Sequence, residues 1–168
     1  MTVGDPREPT TRVGPLITRE HFARVAGFVS RALAAGVKPI FGGKRHSAGE
    51  LYFEPTLFEI RDGEVEIAKR EVFGPVLTWQ TFGSEQEAID LANDTEYGLA
   101  AMVYTADQAR ADRVSTSLSA GTVWVNCFFV RNLASPFGGV RESGIGREGG
   151  TWSFDFFCDV KNVAIRRG

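Results

Sequence analysis

With 168 residues, 43% of them hydrophobic and 11% aromatic, the chain is long enough to bury a real core and too apolar to be a disordered segment. Its 19 basic residues against 21 acidic ones leave a net charge of −2, so electrostatics give no reason to expect nucleic acid or an anionic membrane as partner. No apolar run approaches the ~20 residues of a transmembrane helix, and the start, Met1-Thr-Val-Gly-Asp-Pro-Arg-Glu-Pro, has neither signal-peptide nor transit-peptide character, so the expected location is the cytoplasm.

In chain order, Thr18 caps a helix that carries Phe22, Val25, Val29 and Leu33 at helical spacing, and Gly36 closes it. Val37 to Phe41 forms a short strand ended by Gly42-Gly43. Leu51 to Ile60 alternates weakly and is interrupted at Pro55, which predicts an edge strand. Val76 to Phe82 is a strand, and Ser84 with Glu87 three residues later is a capping box that opens a helix to about Asn93. A second strand, Ala100 to Thr105, leads into a second box, Thr105 with Gln108, and a helix to about Ser117. A third strand runs from Thr122 to Asn126. Strands alternating with helices in this way predict two βαβ units and an α/β fold with these strands parallel in one sheet.

Beyond Asn126 the periodicity ends, and the glycine-rich stretch from Phe137 to Gly150 predicts a shaped, exposed loop. The tail from Phe154 to Arg167 has the pattern of a strand, with Val160, Val163 and Ile165 apolar, and stands apart from the core as an edge strand or a β arm reaching a partner.

Candidate chemical groups are few. Cys127 and Cys158 lie far apart, as reduced thiols do, and His21 and His46 form no cluster with them, so no metal site is supported. Cys127 sits at the end of an apolar run with no histidine nearby in sequence; a free cysteine there is most often a small core residue. Gly144-Ile-Gly-Arg-Glu-Gly149 matches the dinucleotide fingerprint but lacks the preceding strand and following helix that the fingerprint needs, which favours a structural turn. Glu71, before a Gly-Pro turn, is either a solvated glutamate or a carboxylate placed to accept sugar hydroxyls. Arg131, in an apolar setting beyond a strand end, needs a partner, which is equally an acidic side chain or a substrate carboxylate.

Taken in order, Glu71-Val-Phe-Gly-Pro75, Asn93-Asp-Thr-Glu-Tyr-Gly-Leu-Ala100, Ala120-Gly-Thr-Val-Trp-Val-Asn126, Pro136-Phe-Gly-Gly139 and Ser143-Gly-Ile-Gly-Arg-Glu148 resemble the C-terminal part of the aldehyde dehydrogenase superfamily. Val3-Gly-Asp-Pro6 and Val13-Gly-Pro-Leu-Ile17 fit the same resemblance. It implies NAD(P)-dependent oxidation of an aldehyde to an acid through a thiohemiacetal and a thioester on a cysteine, with a glutamate base and an oxyanion hole. The family's nucleophile lies in a Gly-x-Cys segment upstream of Val-Gly-Asp-Pro, so Cys127 falls on a non-nucleophilic position and no catalytic residue is expected in these residues.

The resemblance further implies a partial catalytic domain over residues 1–150, a C-terminal oligomerisation arm over 151–168, no cofactor-binding domain, and a homo-oligomer. Glu71 falls on the cofactor-ribose ligand, Phe73 beside the nicotinamide and Leu99 near the same ring, while Phe137 lines the aldehyde tunnel. Arg131 departs from the aromatic or apolar residue common in the substrate-entrance loop. With Ser143-Gly-Ile-Gly-Arg-Glu-Gly-Gly150 it is most similar to the muconate-semialdehyde branch, whose members act on 5-carboxymethyl-2-hydroxymuconate, 2-hydroxymuconate or 2-aminomuconate semialdehydes. The expectation is therefore a segment of a semialdehyde dehydrogenase that binds NAD or NADP weakly or not at all by itself. The competing readings are a non-catalytic protein that pairs with an intact subunit and a self-sufficient binding module.

Overall fold

The computed structural model describes residues 1–168 with the exception of Asp62. The chain divides into two compact units, residues 1–83 and residues 84–168.

The first unit is built on helix α1, Arg19–Ala34, whose N-cap Thr18 accepts the His21 N–H as the sequence predicts. Its apolar face buries Val25, Phe28, Val29 and Ala32 against Phe53, Phe58, Ile60, Ile67 and Val72. Phe58 belongs to a three-stranded sheet in the order β1 (Pro39–Phe41), β2 (Thr56–Glu59), β3 (Val76–Trp79), Ile67 to a helical turn α2, Glu66–Lys69, and Phe53, Ile60 and Val72 to the segments that flank them. The pairing β1–β2 is antiparallel and β2–β3 parallel.

The predicted edge strand is thus the central one. Pro55 lies one residue outside the ladder and removes no donor from it, while the Thr56 N–H bonds to the Pro75 carbonyl. Among the described residues Thr56 is the one buried polar side chain, and its hydroxyl donates to the Glu54 carbonyl and accepts the Gly43 N–H.

The second unit pairs β4, Ala100–Val103, with β5, Thr122–Val125, in parallel register. The crossover helix is α4, Gln108–Ser117, and α3, Glu85–Asn93, precedes β4. Ser84 caps α3 as expected, by accepting the Glu87 N–H. For α4 the cap moves from the expected Thr105 to Asp107, whose carboxylate accepts the Arg110 N–H; the Thr105 hydroxyl instead accepts the Asp107 N–H and shapes the turn before the helix.

Parallel α/β architecture is as read from the sequence, but the strands are shared out differently. Val76–Trp79 pairs with Thr56–Glu59, and only Ala100–Val103 and Thr122–Val125 form the expected βαβ pair. The tail also departs from expectation. Trp152–Phe157 is a short helix, α5, and residues 158–168 carry neither helix nor strand. Residues 154–157 are thus helical where the sequence predicted the start of a strand, and the apolar residues beyond them are exposed, Val160 at 99%.

Candidate functional site

In the first unit the candidate cofactor residues stand on the turn that delivers the chain into β3. Glu71 is exposed, and Phe73 is 68% exposed in the left-handed region at φ 56°. A non-glycine residue there costs roughly 1–2 kcal/mol, so its surroundings must hold it.

Helix α1 does so. Arg24 donates from Nη2 to the Glu71 carbonyl at 2.8 Å and from Nη1 to the Val72 carbonyl at 3.1 Å. His21 Nε2 lies 2.6 Å from the Phe73 carbonyl, which can only accept, so this nitrogen carries the proton. Behind the turn, a Cβ on Gly74 would come 2.7 Å from Val25 Cγ2, which lets the segment lie flat on α1. The backbone is thus tied inward, with the Glu71 carboxylate and the Phe73 ring left at the surface. An exposed carboxylate beside an exposed ring on an immobilised turn fits a ribose and a flat aromatic group.

In the second unit Leu99 opens β4 and is 46% exposed. Its neighbour Gly98 is the anchor: the Gly98 carbonyl accepts both the Gly121 and the Val140 N–H groups at 3.0 Å, and the Gly98 N–H donates to Ser143 Oγ at 2.9 Å. The Tyr-Gly-Leu segment, the start of β5 and the glycine-rich loop therefore converge on one residue.

The loop is closed by reciprocal backbone hydrogen bonds of Phe137 and Glu148, both 2.8 Å, and by Arg147 Nη1, which donates to the Gly139 and Gly146 carbonyls at 2.7 Å. It is a structural turn. The strand before it and a helix of useful length after it are missing, since α5 has 6 residues, so the fingerprint-like glycines form no helix-capped phosphate cradle.

Arg131 and Phe137 are brought together. The Arg131 guanidinium lies over the Phe137 ring at 4.6 Å from its centroid and donates to Glu148 Oε1 at 2.6 Å. Leu99, Phe137, Arg147, Glu148, Phe156 and Phe157 line an open pocket of about 290 Å³. The acidic partner of Arg131 comes from the motif that ends at Glu148.

Cys127 is half-buried in the turn after β5, where Trp124 contacts Phe128 and Phe129 and donates from Nε1 to the Val130 carbonyl. Both histidines belong to the first unit, so the second holds no imidazole to activate this thiol. His21 and Arg24 were not singled out from the sequence as functional residues. Their only signal is a polar pair three residues apart on an otherwise amphipathic helix, common enough to carry no meaning without the turn it faces.

A parallel α/β chain with these five motifs placed in this order defines a class. The Aldehyde dehydrogenase family matches residues 1–163, and the chain belongs to that family. Among its relatives, the chloroplastic betaine aldehyde dehydrogenase of Beta vulgaris is 41% identical over 165 residues, which is 97% of this chain and 33% of that protein.

Solved structures agree. HpcC from Thermus thermophilus superposes with a TM-score of 0.90 at 42% identity, covering 99% of this chain and 35% of that one. Betaine aldehyde dehydrogenase from Staphylococcus aureus, in complex with NAD+, gives 0.86 at 39% identity, covering 93% and 32%. The chain therefore spans about a third of the length of the relatives it matches.

Proposed function

We propose that these residues form the C-terminal third of an NAD(P)-dependent aldehyde dehydrogenase that oxidises a carboxylated semialdehyde, of the muconate-semialdehyde type, to the acid. Family membership supports the reaction class. The observation that carries the substrate class is Arg131, whose side chain is 39% exposed and whose bond to Glu148 engages Nη2 alone. Glu148 and the Phe137 ring hold the guanidinium in one orientation, and a planar fork held this way suits a carboxylate.

In this reading Glu71 accepts hydroxyls of the cofactor ribose, Phe73 flanks the nicotinamide, Leu99 contacts the cofactor and Phe137 borders the aldehyde. When bound, the nicotinamide supplies the hydride acceptor. The 168 residues alone lack dehydrogenase activity and bind the cofactor weakly or not at all: neither Cys127 nor Cys158 lies in a Gly-x-Cys segment like that of the family's nucleophile. The whole protein works as a homo-oligomer. The alternative role, pairing without catalysis with an intact subunit, uses the same surfaces.

A second substrate reading is favoured by the Trp124, Phe128 and Phe129 cluster, because aromatic faces attract quaternary ammonium groups, and by relatives named for betaine aldehyde. The test is kcat/KM of the full-length enzyme for a carboxylated semialdehyde and for betaine aldehyde. Arg131→Ala should lower the first by tenfold or more, since a charged hydrogen bond contributes ~1.5–3 kcal/mol. A change within about twofold rejects the carboxylate reading, and a preference for betaine aldehyde that is lost in Trp124→Ala installs the second.

A further inference from the structure

We propose that Arg24 and His21 are positioning residues for cofactor binding, acting through the backbone of Glu71, Val72 and Phe73. The inference rests on the reading of Glu71 and Phe73 as cofactor contacts.

Three consecutive carbonyls, of residues 71, 72 and 73, accept from two side chains one turn apart on α1. Consecutive carbonyls on an irregular segment have no strand or helix to satisfy them, and such a segment would sample several conformations. Arg24 bridges two of them with the two ends of a rigid guanidinium, which fixes their relative orientation as well as their distance from the helix. The third falls to His21, at the residue whose backbone is left-handed.

Helix α1 is itself fixed, since Val25 and Val29 are almost wholly buried in the core. The carboxylate and ring are thereby pre-organised on a rigid support, and a ligand that needs both need not order the turn as it binds. An arginine required only for stability could have bonded to any nearby exposed acid, as Arg31 near the end of α1 does with Glu66 of α2.

The experiment uses the full-length enzyme and NAD as the probe, with affinity read by fluorescence titration and hydride transfer by single turnover. Variants are Arg24→Met, Arg24→Lys, Glu71→Gln, the double variant Arg24→Met/Glu71→Gln, and Arg31→Met as a control. Arg24→Met should weaken NAD about tenfold, a loss of the size expected for one positioned charged hydrogen bond. Arg24→Lys, which keeps the charge but not the two-pronged geometry, should fall between it and the parent.

The double variant should lose less than the sum of the two single losses, because part of what Arg24 does is to position Glu71. Arg31→Met should leave NAD affinity unchanged. Additive losses would mean that Arg24 contacts the cofactor itself, and an unaffected Arg24→Met would mean that the turn holds without it; either result overturns the proposal. If Glu71→Gln alone leaves NAD affinity unchanged, the cofactor reading fails first, and the two failures are told apart.

Discussion

At Gly121 the constraint on a single residue is steric. A Cβ there would stand 1.6 Å from the Gly138 carbonyl oxygen, a backbone atom that can move only if the whole glycine-rich loop moves. The glycine of Ala-Gly-Thr-Val-Trp and the first glycine of Pro-Phe-Gly-Gly are therefore a matched pair. Gly121→Ala should cost at least about 2–3 kcal/mol, the upper range for overpacking, and should show as a lower urea midpoint with altered fluorescence of the nearby Trp124. Phe58, fully buried between α1 and the sheet, fails in the opposite sense. Phe58→Ala leaves a cavity and should cost about 3–5 kcal/mol in the same measurement. Neither role was visible in the linear sequence, where Gly121 marks only a turn and Phe58 one apolar residue of a weak alternation. The same holds for Arg131, whose apolar neighbours announced a need for a partner, whereas the choice of Glu148, 17 residues away, is made by the closure of the loop.

Among the elements, α3 and α4 are joined by charge. Glu85, at the first position of α3, accepts from Arg110 and from both Nε and Nη2 of Arg113 on α4. The Arg113 hydrogen bond, foremost, and then the two arginine charges hold the Glu85 carboxyl below its ordinary value of 4.5. A carboxyl depressed in the folded state stabilises the fold above its unfolded value and loses that contribution as pH falls through the folded one. Melting temperature should thus fall more steeply below about pH 4.5 in the parent than in Glu85→Gln, with the two curves converging in acid. Parallel curves would show that the clamp is fully screened. The helices themselves were readable from Ser84 and from apolar spacing, because capping and periodicity are local. The partner of Val76–Trp79 was not, since pairing is decided by packing across the sheet, and the residue that misled, Pro55, lies just outside the ladder it was expected to break. The start of the tail was misread for a related reason: apolar alternation makes a strand only where another strand accepts it, and α5 takes residues 154–157 instead.

For the molecule as a whole, each unit presents apolar surface at a sheet edge. In the first unit β3 is an edge strand with Leu77 67% exposed and Trp79 45%, followed by Phe82 at 60%. In the second, Met102, Phe128, Phe129, Phe154 and Phe157 are exposed around a sheet of only 2 strands, and Ile89 and Ala111 are its buried hydrophobic residues among those described. A two-stranded sheet with so little buried behind it is marginal on its own. Unpaired strand edges and contiguous apolar patches are the surfaces through which chains associate. The purified 168-residue chain should accordingly sediment as species larger than the monomer, and should produce no NADH from an aldehyde at any of those sizes. Leu77→Lys, which places a charge on the open edge of β3, should move the distribution toward monomer without restoring activity. If the chain instead sediments as a monomer and melts in one cooperative transition, the exposed faces are tolerated in water, and the binding-module reading gains over that of a piece that needs the rest of its enzyme.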